Sequence, residues 1–77
     1  MGFVTGRLSY NSANQRYGLL VSDLWEVFGF HCGQGLEVFL DGEWVPTRFE
    51  MNTSREWYLV DTPYSGDLEN ISARLNI

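Results

Sequence analysis

The side chains best suited to chemistry in this sequence gather in one short stretch. In GFHCGQG, Gly29 to Gly35, the only histidine, His31, stands beside the only cysteine, Cys32, among three glycines. A thiol nucleophile with a histidine base needs the imidazole within hydrogen-bond reach of the sulfur. Neighbours in an extended segment point to opposite sides, and no third residue is placed to orient the ring. A loop histidine and an inward-facing, chemically quiet cysteine are therefore expected. Metal binding needs three or four suitable ligands. His31 and Cys32 would have to recruit Asp23 and Glu26 by a fold-back, and the chain has no CxxC, no HxxxH and no second histidine.

Other reactive constellations fail on similar grounds. The spacing G-x-x-x-G-x-G is neither a phosphate-binding loop nor a dinucleotide fingerprint, and no helix follows whose N-terminus would hold an anion. The glycines read instead as the means by which the chain turns back into Leu36. Glycoside chemistry needs two carboxyl groups across a cleft. Asp41, Glu43, Glu50, Glu56 and Asp61 fall on hairpins, where acids are ordinarily solvated. No catalytic residue, cofactor or metal is assigned, and the chain reads as non-enzymatic.

Charge narrows the partners. Ten carboxylates face five cations, a net charge of −5, and all five cations are arginine. Duplex DNA demands clustered positive charge, so it is not an expected partner. Arginine pairs with carboxylates and stacks on rings, and most of the five are read in that part. Small β-domains also bind single-stranded nucleic acid with rings and a few arginines. Tyr17, Trp44, Arg48, Arg55 and Trp57 are the residues for that alternative. A third reading makes the acidic surface a nucleic-acid mimic that blocks a host protein. No apolar run approaches a membrane span, so no membrane partner is expected. One unpaired cysteine without a leader-like segment fits a cytoplasmic setting.

The elements that must position these residues are short and alternating, bounded by turn chemistry, which predicts an all-β domain spanning residues 1–77. Strands are expected over 3–10 (Val4, Gly6, Leu8 and Tyr10 on one face), 16–21, 36–40, 43–51, 55–62 and 70–77, the last with Ile71, Ala73, Leu75 and Ile77 on one face. Asp41-Gly42 is the strongest hairpin signal and pairs Leu40 with Glu43 and Phe39 with Trp44. Pro46 within its strand marks an edge or a bulge. Asp23 followed by Glu26 reads as a capping box. With Leu24, Val27 and Phe28 at helical spacing, it predicts a short helical insertion at about 23–28. The architecture expected is a five- to six-stranded antiparallel barrel, SH3-like or similar, with the last strand beside the first. A chain of 77 residues has a thin stability margin, and its aromatic content, 16%, is the expected source of its core.

Carrying the registers through gives two faces. Leu36, Val38, Leu40, Val45, Thr47, Phe49 and Met51 form the core side. Glu37, Phe39, Trp44, Pro46, Arg48 and Glu50 form the other, joined by Trp57 and Leu59 if Asn52 lies opposite Arg55. A one-residue slip would exchange Trp57 and Tyr58. Exposed ring clusters mark interaction sites, and Trp and Arg are frequent in binding hot spots. Phe39, Trp44, Arg48 and Trp57 are therefore the candidate contact face, with Trp25 and His31 at its rim. The competing reading lays residues 22–31 over these rings as part of the core.

The runs LSYN, RYGLL, DLWEVFGFHCG, LEVFLDGEWVPTR and EWYLVDTPYSG, in this order, resemble a family of small bacterial proteins of unknown function, associated with conjugative elements and phages. The resemblance extends from Leu8 to about Arg74. It carries no activity over; it implies an accessory role in a mobile element, acting on a protein partner of the host or the element.

Overall fold

The computed structural model describes residues 2–76, so Ile77, assigned above to the last strand's inner face, lies outside the described residues. Seven strands are present: β1 (Phe3–Asn11), β2 (Arg16–Val21), β3 (Leu24–Val27), β4 (Gly35–Leu40), β5 (Glu43–Met51), β6 (Trp57–Leu59) and β7 (Ser72–Asn76). They form one antiparallel sheet in the order β3-β2-β1-β7-β4-β5-β6. The last strand lies against the first, as expected, with Val4 opposite Leu75 and Gly6 opposite Ala73.

The expected barrel is not formed: β3 and β6 end the sheet and do not pair with each other. Side chains and loops fill the space that a closed ladder would have enclosed. Leu8, Leu19, Val38, Phe49, Leu59, Leu68 and Ala73 are fully buried. Phe30, from the GFHCGQG connection, stacks on Phe49 with centroids 4.7 Å apart. The Tyr17 hydroxyl donates to the Gly66 carbonyl and accepts the Leu68 N–H, both at 3.2 Å. The Trp57 indole N–H donates to the Gln15 carbonyl at 3.3 Å. These bonds tie β2 to the segment around β6, which the ladder leaves apart.

Residues 24–27 are a strand, not the expected helix. Ser22 and Asp23 have φ of 52° and 63°, two consecutive left-handed residues that make a type I′ hairpin turn and bring Leu24 opposite Val21. Asp41 and Gly42 build the same turn at φ 52° and 83°, giving the Leu40–Glu43 and Phe39–Trp44 pairs that the sequence predicts. A helix of one or two turns has too few hydrogen bonds to sustain itself without burying its stripe. Here Leu24 is 74% and Phe28 67% exposed, so no packing favours one. A bulge at Glu26 shifts the register between Leu20–Trp25 and Leu19–Val27. The chain then passes so close over Gly18 that a Cβ there would lie 2.2 Å from the Val27 carbonyl oxygen.

Pro46 is placed by hydrogen-bond parity. The Phe49 N–H donates to Gln34 of the β4 side, and Arg48 accepts from Val60 on the other. Even-numbered β5 residues thus direct their nitrogens away from β4, and β6 pairs only with residues 49–51. The proline nitrogen faces an open edge, where it forgoes no ladder bond.

The second hairpin differs from the expected register by one residue. Met51 lies opposite Trp57, Glu50 opposite Tyr58 and Phe49 opposite Leu59. The loop is one residue longer because Arg55 adopts the left-handed conformation at φ 63°. The Asn52 side-chain oxygen accepts the N–H groups of Ser54 and Glu56, at 2.9 and 3.0 Å, and holds the loop in place.

Two substitutions test these joints. Tyr17→Phe, which leaves the buried Leu68 N–H without an acceptor, should cost about 1–3 kcal/mol in urea denaturation; an unchanged midpoint would remove the hydroxyl from the account. Arg55→Val, a β-branched residue in the left-handed region, should lower stability by about 1 kcal/mol or more, whereas Arg55→Gly should not lower it. Equal stability of the two would contradict the register argument.

Candidate functional site

The outward face of β1, β7, β4 and β5 carries the most ordered cluster of exposed rings. Phe3, Thr5 and Arg7 of β1, Arg74 of β7, Glu37 and Phe39 of β4, and Trp44, Pro46, Arg48 and Glu50 of β5 share it by register. Phe39 and Trp44, directly opposite across the hairpin, meet edge to face with centroids 5.2 Å apart. Arg74 organises the centre. Its guanidinium carbon lies 3.7 Å from the Phe3 centroid and 4.4 Å from that of Trp44. Its Nε donates to Glu37 Oε1 at 2.6 Å, from the directly opposite position on β4. The flat guanidinium stacks on rings while its edge bonds a carboxylate, so one side chain satisfies two different partners. Phe3 and Phe39 remain 47% and 44% exposed. The rings are open to solvent yet fixed in place.

Beside this cluster the β7–β4 ladder stops after Glu37 and Val38. The strands part toward Gly35 and Asn76, opening a groove of about 550 Å³ whose walls include Phe3, Glu37, Pro46 and Arg74. Aromatic face and groove are therefore continuous.

The sequence-derived candidates separate. Phe39 and Trp44 stand together on this face. Arg48 shares it, with its Nε bonded to Glu50 at 2.9 Å. Trp57 does not: it is buried on the core side, edge to face with Phe49 at 6.0 Å. The extra loop residue at Arg55 is the reason. Trp25 faces outward opposite Leu20, but four strands, β2, β1, β7 and β4, lie between it and Trp44. Residues 22–31 accordingly do not cover Phe39 and Trp44; of that segment Phe30 is buried in the core and Val27 packs against it.

His31 and Cys32 are both exposed, and the expected inward cysteine is corrected. They occupy a turn in which the Gln34 N–H donates to the His31 carbonyl at 3.1 Å and Gly33 has φ 84°. Positive φ at the third turn position is the type II geometry that requires glycine, so Cys32 projects from the bend. Gly33 also anchors the loop, its N–H bonding the Phe49 carbonyl at 2.7 Å. Among the described residues no group of three or more His, Cys, Asp or Glu is arranged to hold a metal ion. Among the described residues no helix is long and apolar enough to cross a membrane.

Tyr17, Arg55 and Trp57 line a separate groove with Tyr10 and Met51, on the side away from Trp44 and Arg48. The five residues of the nucleic-acid reading thus do not form one surface. Phe3 and Arg74 were missed by sequence reasoning. Their signal was available once β7 was set beside β1, because Arg74 falls opposite Thr5, on the same face as Phe3.

The cluster makes a graded prediction. Arg74→Ala removes two ring stacks and an ion pair, and should lower stability by about 1–2 kcal/mol. Glu37→Gln keeps both stacks and should cost under about 1 kcal/mol. Chemical denaturation distinguishes them; the reverse order would show that the ion pair, not the stacking, sets the arrangement.

No curated protein and no solved structure matches the chain. One family model does match, over residues 6–75, nearly the whole length of the chain. The chain belongs to the family defined by a domain of unknown function, DUF5348.

Proposed function

We propose that this protein is a non-enzymatic interaction module that docks another protein on the outward face of β1, β7, β4 and β5. The observation that carries the reading is Arg74 held between Phe3 and Trp44 and bonded to Glu37. Rings held in position before binding lose little freedom on contact, which favours association. Aromatic side chains with arginine are also the residues most often found at the energetic centre of protein interfaces.

The electrostatics of the face favour a protein over a nucleic acid. Its three arginines are already engaged: Arg7 with Asp23, Arg48 with Glu50 and Arg74 with Glu37. Phosphate contacts need guanidinium groups free to replace counterions, and these would first have to give up their carboxylates. Nor do the unpaired acids suggest a strand-like mimic. Asp41 and Glu43 sit at one end of β5 and Glu56 at the other. A cytoplasmic accessory role in a mobile element or phage is compatible with this reading and rests on the sequence resemblance alone.

The test is affinity capture from a host lysate with the wild-type chain, Trp44→Ala and Leu24→Ser. A specific partner should be retained by wild type and by Leu24→Ser, which alters an exposed residue remote from the face. It should be lost with Trp44→Ala while the variant's circular dichroism stays native. Equal capture by Trp44→Ala, or binding of labelled single strands that falls steeply with salt, would contradict the proposal.

A further inference from the structure

Gly35 is a glycine that the fold itself does not require. Its φ lies outside the left-handed range, and a Cβ added there would meet nothing closer than the Thr47 carbonyl oxygen at 3.8 Å, an ordinary contact. Gly6 and Gly18, by contrast, lie under backbone oxygens that a Cβ would strike at 2.1 and 2.2 Å. Glycine weakens a strand and often marks a place where another backbone or a ligand approaches closely. As an odd-numbered residue of β4, Gly35 shares the outward side with Glu37 and Phe39, so its missing side chain leaves that face open. The space belongs to the groove beside Phe3 and Pro46, and it continues past Gly35. A second hollow of about 340 Å³ begins over the same Gly35, Pro46 and Thr47 and extends to Arg48, Val60 and Asp61. Together they form one channel across β7, β4 and β5, with Gly35 at the crossing point.

Backbone groups without ladder partners open into this channel. The Phe49 N–H donates to the Gln34 carbonyl, so even-numbered β4 residues bond β5 and odd-numbered ones face β7. The Leu8 N–H donates to the Ile71 carbonyl, which turns odd-numbered β7 residues toward β1 and even-numbered ones toward β4. Glu37 and Arg74 meet as such a pair. Gly35 and Asn76 would be the next, but the β4–β7 register ends before them. Their N–H and C=O groups therefore point into the gap, the form of unsatisfied edge with which an extended peptide pairs.

Charge narrows what kind of peptide fits. In the groove Glu37 is bonded to Arg74, and in the second hollow Arg48 is bonded to Glu50. Asp61 is exposed at the far end and has no ion-pair partner among the described residues. The channel's unmatched charge is negative, as is the chain as a whole at −5. Both attract a cationic side chain to that end and repel phosphate or an acidic segment. At the other end Phe3, Leu36, Pro46 and Leu75 supply apolar surface. Strand spacings put about 12 Å between the gap and the far side of β5, a span of three or four extended residues.

We infer that the channel receives an extended segment of the partner protein carrying an apolar side chain and, about three or four residues away, a lysine or arginine. One peptide unit of the segment bonds Gly35 and Asn76, the apolar side chain lies between Phe3 and Pro46, and the cation meets Asp61. The inference rests on the docking role proposed for this face and states which chemistry the face recognises.

Selection of a random octapeptide library against the immobilised full chain tests this. Enriched sequences should share an apolar residue and a lysine or arginine at that spacing, and a synthetic peptide taken from them should bind less tightly as salt is added. Gly35→Val, which the open space admits and a strand favours, should weaken that binding about tenfold or more by blocking the backbone bonds. Asp61→Asn, which retains a residue tolerant of the φ of 62° there, should weaken it about two- to fivefold and remove most of the salt dependence. Leu24→Ser should bind as wild type does. Circular dichroism identifies folded variants, and Gly35→Ala is the smaller obstruction, with an effect in the same direction. No enrichment, enrichment of sequences lacking a cation, or undiminished binding by folded Gly35→Val and Gly35→Ala would overturn the inference. A lysate partner that depends on Trp44 but is captured equally by Gly35→Val rejects the channel alone, whereas a partner indifferent to Trp44→Ala rejects the docking face.

Discussion

The left-handed backbone at Arg55 decides which face of the sheet receives Trp57, and much of the molecule follows from that choice. With φ at 63° the β5–β6 loop holds one more residue than the shortest alternative, and Met51 comes opposite Trp57. Trp57 then packs against Phe49 and donates to Gln15 across the molecule. A left-handed arginine costs about 1–2 kcal/mol. Burial of a large ring and a hydrogen bond between distant parts of the chain offset it. Without that register the inner side would lose its largest aromatic group, in a domain small enough to need each one.

The inner face can therefore do the holding, and the outer face is left for contact. On the inside Tyr17, Trp57 and Phe30 join the ends of a sheet too open to close by backbone bonds alone. On the outside Arg74 fixes Phe3 and Trp44, leaving Phe3 exposed and Trp44 half-buried. The division explains how three ion pairs and the rings of Phe3, Phe39 and Trp44 coexist on one surface: the Arg74–Glu37 pair positions Phe3 and Trp44, and all three pairs cancel local charge. The acids without an arginine partner lie around the margins of the sheet.

How much of this was legible in the sequence depended on the range of the determining interaction. Asp41-Gly42 announced its turn, because glycine at a left-handed position is a local preference. The β4–β5 register and the placement of Leu36, Val38, Phe39 and Trp44 followed from it. Ser22-Asp23 builds the same turn without glycine, and its Asp23–Glu26 spacing mimics a helix cap, so a local rule pointed the wrong way. Arg55 gave no signal: nothing about an arginine in NTSRE marks a left-handed residue, and the slip moved Trp57 to the opposite face. Cys32 was misplaced because the alternation rule assumes an extended strand, whereas Gly33 bends the chain there. Arg74 between Phe3 and Trp44 joins three strands distant in sequence, and only the sheet order reveals it.

The division between the two faces is tested most directly by the accessibility of single tryptophans. Variants retaining only Trp57 or only Trp44, the other positions replaced by Phe, should differ in fluorescence. Trp57 alone should emit toward the blue and resist quenching by acrylamide. Trp44 alone should be readily quenched, and should become protected under conditions that populate a complex. Trp57 quenched as easily as Trp44 would mean that the β5–β6 register is wrong and that the aromatic face is not the one described.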